Sequence, residues 1–382
     1  MTEKESASAP SLRTKLVLTL GSAFLTLAVA EVVCRVQAHL RNSKSIEVAF
    51  STQRHLKDGE RVALIDIIQM SPNDRIIFEL KRNLDAVPFR GVPLTTNSFG
   101  FRGEEIEVEA APNTVTILGI GDSVMFGHGV GDDICYLRAL ERNLREQYPE
   151  KNWRVINTGV PAYNTVMELE TLRTKGLQFK PDMVLLNLVP NDLVLPQYVR
   201  MEEDALDLSR SFLVDFFRDR IDGTDRGFDE EEGRDNRLTL RPVLQEGEEG
   251  ANGRRRKLPE RYRGLVGWEP FREALDDLVE LSKEHDFEVV SFTTIENATT
   301  VKMIEEARSR GFMHVRLLPE LQAYMKEKYN AEFDYKAKGP YMKSDLVVSI
   351  ADGHPSKIQH DMAADKLMKR MAEEGIIEKL ME

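Results

Sequence analysis

Short apolar runs and longer amphipathic stretches alternate along the chain from residue 114 onward. The apolar runs are rich in β-branched residues and lie at residues 114–120, 153–157, 183–188, 288–293 and 315–317. The stretches with apolar positions at helical spacing lie at residues 135–147, 165–179, 271–285, 301–310 and 358–371. Continuous apolar runs of this length predict strands that are buried on both faces. Their alternation with helices predicts βαβ units, and therefore an α/β fold around a central parallel sheet.

The N-terminal apolar segment does not belong to this alternation. Residues 16–30 contain no charged side chain, and Arg13 and Lys15 stand just before them. A membrane-spanning helix needs about 20 largely apolar residues, so this segment is short for that purpose. Charged residues at its two ends can nevertheless extend their side chains to the membrane surface.

Two interpretations of this segment lead to export of the rest of the chain. As a signal peptide, it would be cleaved after residues 28–30 (Ala-Val-Ala), which resemble a cleavage site. As a membrane anchor, the helix would continue to Val36, with Glu31 and Arg35 one turn apart. A buried helix of a soluble protein is the third interpretation. We favour the anchor; with either of the first two, the remaining chain lies outside the cytoplasm, tethered or secreted.

Pattern and composition divide the chain into three regions. Residues 1–36 form the signal-anchor or signal peptide, and residues 37–110 form a modestly apolar lead-in region. Within the lead-in, residues 75–81 predict a strand. Residues 111–382 carry the α/β alternation and form the main domain.

A charged insertion interrupts the main domain at about residues 201–265. It contains 30 charged residues in 65, seven glycines and a basic run at residues 254–257. Such a composition favours a solvated excursion. A contact surface for an anionic polymer or for lipid headgroups is the alternative.

Composition and charge exclude several classes of protein. With 382 residues, 41% of them hydrophobic, the chain can bury a large core, which excludes wholesale disorder. The 64 acidic residues outnumber the 52 basic ones, so the net charge is −12, and a general nucleic-acid binder is excluded. Two cysteines, Cys34 and Cys135, cannot form a disulfide framework. No Cys/His spacing resembles a structural zinc site, and we predict no metal and no cofactor.

A serine follows the first strand of the predicted sheet. The run 114–120 leads directly into Gly121-Asp122-Ser123-Val124. A residue just past the carboxyl end of a parallel strand lies where open α/β sheets bind their ligands. The sequence is not the G-x-S-x-G nucleophile motif, because Met125 replaces the last glycine. Taken alone, the triplet also fits a plain turn or a helix cap.

Three later motifs point to the same edge of the sheet. Gly159 and Asn191 follow the second and third predicted strands, in Asn-Thr-Gly and Pro-Asn-Asp. His354 occurs in Asp352-Gly-His-Pro, in a predicted loop before the last helix. Each motif alone has a plain structural explanation as a turn glycine, a helix cap or a surface histidine. Chance seldom produces all of them in this order.

With these motifs the sequence resembles the SGNH (GDSL-type) hydrolase family, in its membrane-anchored or secreted branch. The resemblance covers about residues 97–371, except most of the insertion, and includes the stretch 97–103 (Asn-Ser-Phe-Gly-Phe-Arg-Gly) before the first strand. It implies a flavodoxin-like three-layer sandwich and a serine esterase or acyl-transfer site. Val124 and Val189 depart from the family pattern. The catalytic aspartate often stands three residues before the histidine, whereas Asp352 stands two before it.

The resemblance also implies a role for each site residue. Ser123 is the expected nucleophile, His354 the general base and Asp352 the residue that orients the histidine. The backbone N–H groups of Ser123 and Gly159 and the side-chain amide of Asn191 are the expected oxyanion hole.

Neighbouring residues receive lesser roles. Asp345 is the substitute for Asp352 as the catalytic acid. For His128, five positions after Ser123, we favour a plain loop histidine, with a position at the mouth of the pocket as the alternative. His360 is expected to face the packing surface of the last helix. Asp122 and Asp192 are expected to fix the motif loops by hydrogen bonds.

Three functions remain open from the sequence. The first is an esterase that removes small acyl groups, with O-acetyl groups on an envelope carbohydrate as the expected substrate. The second is an O-acyltransferase that uses the same triad with a sugar hydroxyl as acceptor. The third is a non-catalytic envelope binding or assembly protein that retains the fold. The membrane is a predicted partner through the N-terminal helix, and nucleic acid is not.

Overall fold

The computed structural model of the chain describes most of its residues. They are 11–42, 62, 64–194, 205–206, 208–221, 228–229, 234–235, 260–335 and 339–382. Most of the insertion predicted over residues 201–265, including its basic run at 254–257, lies outside the described residues.

Helices and strands are numbered here in chain order within the described residues. The helices are α1 Leu12–Asn42, α2 Leu64–Ile67, α3 Ser123–Phe126, α4 Tyr136–Gln147, α5 Thr165–Thr171, α6 Phe212–Ile221, α7 Trp268–His285, α8 Ala298–Ser309, α9 Leu318–Tyr329, α10 Lys357–Glu373 and α11 Ile376–Met381. The strands are β1 Ile68–Met70, β2 Phe78–Leu80, β3 Val87–Phe89, β4 Val92–Leu94, β5 Thr114–Ile120, β6 Asn152–Asn157, β7 Met183–Asn187, β8 Phe228–Asp229, β9 Arg234–Asp235, β10 Glu288–Thr293, β11 Met313–Arg316, β12 Val347–Ser349 and β13 Asp352–Pro355.

A parallel sheet of five strands lies at the centre, in the order β6-β5-β7-β10-β11. Counted along the chain, this order is 2-1-3-4-5, which is the order of flavodoxin-like folds. All residues of β7 are buried, and so are all but the first residue of β5. Burial on both faces explains why these strands are continuously apolar. The strand order reverses between β5 and β7, and open sheets bind ligands at such a point.

Helices cover both faces of the sheet and complete three layers. Helices α5 and α7 pack on one face, where Leu169 and Phe271 belong to one buried core. Helices α4 and α10 pack on the other face, where Leu140 and Leu367 belong to a second core. The predicted three-layer α/β sandwich is therefore confirmed, together with the N-terminal apolar helix α1.

The lead-in region packs into the same core as the sheet. It forms an antiparallel pair, β1 with β2, and a hairpin of β3 and β4. Phe78, Phe89 and Phe101 are buried in one cluster with Leu118 of β5. The strand predicted over residues 75–81 is shorter than expected, because Ile77 has a φ of 64° and breaks the extended backbone before β2.

Most of the other predicted elements are confirmed to within three residues of their ends. The helix predicted over 165–179 is α-helical only to Thr171, and continues as one π-helical turn and one 3₁₀ turn. Helices α9 and α11 were not predicted. The expectation that residues 352–355 form a loop is wrong: they form strand β13, which pairs with β12 in an antiparallel hairpin. These strands of three and four residues are too short to give a recognisable alternation.

Candidate active site

Ser123 lies at the carboxyl edge of the sheet, between the ends of β5 and β7. It is the first residue of the short helix α3, and Asp122 caps that helix by accepting a hydrogen bond from Val124 N at 2.9 Å. Gly127, with a φ of 82°, ends the helix after one turn. The Ser123 N–H has no intrahelical acceptor, because the first turn of a helix never provides one.

The β12–β13 hairpin brings an aspartate and a histidine to Ser123. Asp352 and His354 are two residues apart on β13, and alternate residues of a strand point to the same side. His354 Nδ1 lies 2.5 Å from Asp352 Oδ1, and His354 Nε2 lies 2.9 Å from Ser123 Oγ. The backbone N–H of His354 also donates to Asp352 Oδ1 at 3.1 Å. The three side chains therefore form one continuous hydrogen-bonded series.

The charge of Asp352 decides how protons are arranged in this series. Burial opposes its ionisation, but the hydrogen bond and the charge of His354 hold the pKa of the Asp352 carboxyl well below its usual range. A carboxylate can only accept hydrogen bonds, so Nδ1 of His354 carries the proton. In the neutral ring, Nε2 is then the acceptor for the Ser123 hydroxyl. This is the arrangement in which a histidine can take a proton from a serine.

Gly159 packs directly against the serine helix. A Cβ atom at this position would lie 2.7 Å from Phe126 N and 3.2 Å from Asp122 O, so no larger residue fits. Its N–H donates to Asn157 Oδ1 at 3.0 Å. A substrate oxyanion would therefore compete with the Asn157 side chain for this donor.

Asn191 is linked through Asp122 to the segment that leads into Ser123. Its Nδ2 lies 3.3 Å from Asp122 Oδ2 and 3.4 Å from Tyr163 O, and the same Asp122 oxygen lies 3.2 Å from Ser123 Oγ. Burial raises the pKa of the Asp122 carboxyl. Ser123, Gly159 and Asn191, the residues of the predicted oxyanion hole, therefore all lie next to Asp122. The oxyanion hole itself stays a prediction.

Several lesser predictions have structural outcomes. Asp192 Oδ2 accepts a hydrogen bond from Val189 N at 2.9 Å, so the expected loop-fixing roles of Asp122 and Asp192 are confirmed. His360 is buried and accepts a hydrogen bond from the backbone N–H of Tyr136, as expected for the packing side of α10.

Asp345 is engaged elsewhere. Its carboxylate forms an ion pair with Lys328 and accepts hydrogen bonds from the hydroxyls of Tyr324 and Tyr329. No hydrogen bond joins it to His354 in the part of the chain that the structure describes.

The expectation for His128 is wrong. Its side chain is buried, with 5% of the residue exposed, and its ring stacks on that of His354 with 4.1 Å between centroids. The signal that could have identified it is the pair of flanking glycines, Gly127 and Gly129, which both have positive φ.

Arg102 is a second residue that sequence reasoning missed. Its buried guanidinium donates to the carbonyl oxygens of Phe126, Gly127 and Val130, at 2.5, 2.7 and 2.6 Å. It also forms an ion pair with Asp132. This side chain of the lead-in region therefore holds the loop that follows the serine helix.

One group of side chains in the described part of the chain could hold a metal ion. His128, Asp352 and His354 each offer a ligand atom, and these atoms lie within 4.8 Å of one another. In the structure, however, both ring nitrogens of His354 are occupied by hydrogen bonds to Asp352 and Ser123.

Ser123, Gly159, Asn191 and His354 lie near one edge of a parallel sheet with the strand order 2-1-3-4-5. The chain therefore has a flavodoxin-like three-layer α/β fold, which is the fold that the resemblance to SGNH hydrolases implies. No family model matches the sequence, and no curated protein matches it. Similar solved structures include a lipase/acylhydrolase from Enterococcus faecalis, with 13% identity, a TM-score of 0.38 and coverage of 68% of this chain and 96% of that one.

Two further solved structures have the same degree of similarity. An alpha/beta hydrolase enzyme from the metagenome of Lake Arreo has 15% identity and a TM-score of 0.38, covering 69% of this chain and 96% of that one. An acetyl xylan esterase from Geobacillus stearothermophilus has 15% identity and a TM-score of 0.37, covering 69% and 97%. Similarity at this level says nothing about activity, which has to follow from the chain's own residues.

Proposed function

We propose that this protein is a membrane-anchored serine esterase. The observation that carries the proposal is the continuous series from Asp352 through His354 to Ser123 Oγ, with contacts of 2.5 and 2.9 Å. The short Asp–His spacing, which could mark a non-catalytic relative, is compatible with this contact because both residues lie on one face of a strand.

The residues suit acyl transfer in two steps. Ser123 Oγ attacks the ester carbonyl while His354 Nε2 takes its proton, which gives a tetrahedral oxyanion. His354 then protonates the leaving alcohol as the C–O bond breaks, and the acyl group stays on Ser123. Water attacks this acyl-enzyme with His354 again as base, and the carboxylic acid leaves. Asp352 stabilises the imidazolium that forms in each step.

The N-terminal helix supports the anchored location. Among the described residues, α1 is the helix that is long and apolar enough to cross a membrane, over Leu12–His39. A signal sequence would satisfy the same criterion. Cleavage after residue 30 would remove the helix directly before Glu31, whose carboxylate accepts hydrogen bonds from Ser211, Phe212 and Leu213. Glu31 stays in the chain after such a cleavage, so this contact forms with either interpretation, and N-terminal sequencing of the mature protein decides between an anchor and a cleaved signal.

Small acyl esters on an extracytoplasmic carbohydrate are the proposed substrates, because the anchor would hold the domain outside the cytoplasm. Release of acetate from an O-acetylated polysaccharide by the full chain is the expected result. Transfer of the acetyl group to an added sugar, without free acetate, would make the enzyme a transferase.

Covalent labelling tests the nucleophile. A fluorophosphonate probe should label the wild type and Ser309→Ala, in which an exposed serine of α8 is removed, but not Ser123→Ala. Ester hydrolysis should follow the same pattern while the circular dichroism spectrum stays unchanged. Equal labelling of Ser123→Ala would place the nucleophile elsewhere and refute the proposal.

A further inference from the structure

Helix α6 is attached to helix α1 just after the uncharged segment of α1. Glu31 Oε1 accepts the N–H of Phe212 at 3.0 Å, and Oε2 accepts the N–H of Leu213 at 2.8 Å. Arg35, one turn further along α1, donates to the carbonyl oxygens of Ala205 and Arg210, both at 2.8 Å. The first turn of α6 is therefore fixed to α1 by several hydrogen bonds.

The point of attachment lies at the first charged residues of α1 after its uncharged segment, inside the span Leu12–His39 that is apolar enough to cross a membrane. Residues 16–30 are uncharged, and Glu31 and Arg35 are the first charged residues after them. Charged side chains near the ends of a membrane helix lie at the interface with water. If α1 spans the membrane, α6 therefore begins at the depth of the lipid headgroups.

Near this point the chain exposes large apolar side chains. Leu208 is 89% exposed, Val214 is 53% exposed and Phe217 is 55% exposed. Val214 and Phe217 are three residues apart and share one face of α6. In the same helix Phe212 is buried, so α6 has one apolar side against the protein and another that faces outward. Contiguous exposed apolar surface of this kind usually has a partner.

We propose that the outward surface of Leu208, Val214 and Phe217, here called the α6 face, is embedded in the surface of the bilayer that α1 crosses. This inference rests on the proposed anchor, but not on the proposed esterase activity. Lipid is the occupant that fits, because the first turn of α6 is hydrogen-bonded to the apolar helix α1 at its first charged residues, Glu31 and Arg35. An amphipathic helix in the interface would restrict the tilt of the domain relative to the membrane.

Fluorescence quenching by brominated lipid tests this placement in the full chain. Phe217→Trp, reconstituted in nanodiscs, should show blue-shifted emission that lipids brominated near the headgroup quench more than lipids brominated at the chain ends. Val301→Trp is the matched control, since Val301 is 43% exposed on α8 of the main domain, and it should not be quenched.

A third variant separates the inference from the anchor on which it rests. Leu25→Trp, in the middle of α1, should be quenched by all brominated lipids. Quenching of Leu25→Trp without quenching of Phe217→Trp would overturn the inference and leave the anchor in place. Absence of quenching in Leu25→Trp would refute the anchor itself. A blue shift of Phe217→Trp that depends on protein concentration in detergent would assign the α6 face to a second copy of the chain, and overturn the inference.

A separate observation concerns His128, which the mechanism above does not use. It lies between Gly127 and Gly129, with φ of 82° and 80°, and its backbone N–H donates to Ser123 O at 3.1 Å. A Cβ on Gly129 would lie 3.0 Å from the side chain of Val348, so only glycine lets this loop approach the β12–β13 hairpin so closely. His128 thus lies between the loop that follows α3 and the strand that carries Asp352 and His354.

The ring of His128 is enclosed and polar. It stacks on His354 at 4.1 Å with 24° between the ring planes, and the edge of Phe89 packs on it at 5.2 Å. Its Nε2 lies 4.0 Å from Asp352 Oδ2. Neither ring nitrogen has a hydrogen-bond partner among the residues that the structure describes. Burying an imidazole without hydrogen bonds costs stability, so we ask what this ring contributes to the site.

The geometry points to His128 as a positioning residue for the catalytic pair. Its ring holds the plane of His354 by stacking, and an approach of about 1 Å would let it donate to Asp352 Oδ2. This inference rests on the proposed site. The charged or titratable groups that face His128 are Asp352, His354, Arg90 and Arg102. Burial first, and then the charge of His354, lowers the pKa of His128 well below its usual value, which favours the neutral form of the stacked ring.

Two substitutions divide the roles of the His128 ring. His128→Phe keeps an aromatic ring that can stack on His354 but removes both ring nitrogens. If stacking positions His354, we expect His128→Phe to retain most of the kcat and the ring-proton NMR shifts of His354. His128→Ala removes stacking as well and should lower kcat by about 10²-fold with little change in KM. His285→Phe, at an exposed position of α7, is the control.

The outcomes separate this role from a structural one and from the esterase proposal. An unchanged kcat in His128→Ala, or an equal loss of kcat in His128→Phe and His128→Ala, would overturn the inference. Tight Zn²⁺ binding to the wild type that is lost in His128→Phe would also overturn it, because His128 would then be a metal ligand. The ring-proton NMR shifts of His354 report the stacked ring without turnover, so they remain informative if Ser123→Ala leaves esterase activity intact.

Discussion

At the scale of single residues, the site depends on which groups carry charge inside the protein. Asp352 is partly buried yet ionised, because His354 holds the pKa of its carboxyl below the usual range. Asp192 and Glu168 are fully enclosed, and burial raises the pKa of both carboxyls well above their usual values. The carboxyl groups around the site therefore have pKa values shifted in opposite directions.

The orientation of His354 by Asp352 is the first residue-scale prediction. Asp352→Asn should keep the fold and lower kcat strongly, because an amide can stabilise the wrong tautomer of His354; in a protease triad the comparable loss is about 10⁴-fold. Asp345→Asn is the control and should cost little activity, since Asp345 binds Lys328 and two tyrosines. Steady-state kinetics of the two variants measure the difference. A greater loss in Asp345→Asn would move the acid of the triad to that residue.

The raised pKa of Asp192 gives a second prediction, about stability. Its unfolded pKa is about 3.9, and burial, with the charge of Asp122 next, raises the folded value. Between these two values the native state keeps a proton that the unfolded chain has lost, so the free energy of unfolding falls as pH rises through this window. Asp192→Asn removes this pH-dependent decrease in the free energy of unfolding, while the side-chain oxygen of the asparagine can still accept a hydrogen bond from Val189 N.

Urea denaturation at pH 5 and pH 8 measures that effect. The free energy of unfolding of Asp192→Asn should decrease less between the two pH values than that of the wild type. An identical pH dependence in both proteins would show that Asp192 titrates normally in the folded state.

At the scale of elements, the β12–β13 hairpin decides the spacing of the Asp–His pair. On a strand, two side chains that are two residues apart point to the same side, whereas two that are three residues apart point to opposite sides. Val347 pairs with Pro355 and Ser349 with Asp352, so β13 has one residue more than β12 between these pairs, a β-bulge in the stretch that carries Asp352 and His354.

Insertion of one residue tests this explanation. An alanine inserted after Gly353 gives the three-residue spacing common in the family, but should turn Asp352 away from His354 and lower kcat about as much as Asp352→Asn. An alanine inserted after Ile350, in the turn of the hairpin, leaves the pair unchanged and should retain most of the activity. Full activity after the insertion at Gly353 would show that residues 352–354 act as a flexible loop.

At the scale of the whole molecule, the lead-in region and the main domain share one core. Phe78, Phe89 and Phe101 pack in the same cluster as Leu118 and Ile120 of β5. Arg102 extends from the lead-in to the loop that carries His128. The site is therefore supported from a part of the chain that carries none of its predicted catalytic residues.

Arg102 supplies the whole-molecule prediction. Arg102→Ala removes the guanidinium donor of three carbonyl oxygens and the ion-pair partner of Asp132, and the loss of one hydrogen bond to a charged group typically costs about 1.5–3 kcal/mol of unfolding free energy. Activity should fall as well, because the serine loop loses its support. Arg142→Ala, an exposed arginine of α4, is the control for denaturant unfolding and kinetics. Equal stability of the two variants would show that Arg102 does not join the two regions.

Periodicity alone determined much of this fold. The runs at Thr114–Ile120 and Glu288–Thr293 are confirmed with their predicted ends, because strands buried on both faces must be apolar throughout. The positions of Ser123, Gly159 and Asn191 after successive strands also follow from sequence, since parallel strands end at one edge. The order of strands, which brings β5 beside β7, needed the tertiary structure.

Contacts between distant segments decided the rest. His128 and His354 are 226 positions apart by their numbers, and no local pattern records that their rings stack. No local pattern records the contact of Arg102 with the carbonyl oxygens after α3 either, or the contact of Glu31 with the start of α6. Sequence patterns report which face of an element is buried, because burial selects residue type at each position. They do not report which surface buries it, because apolar packing is non-directional and many partners would satisfy the same pattern.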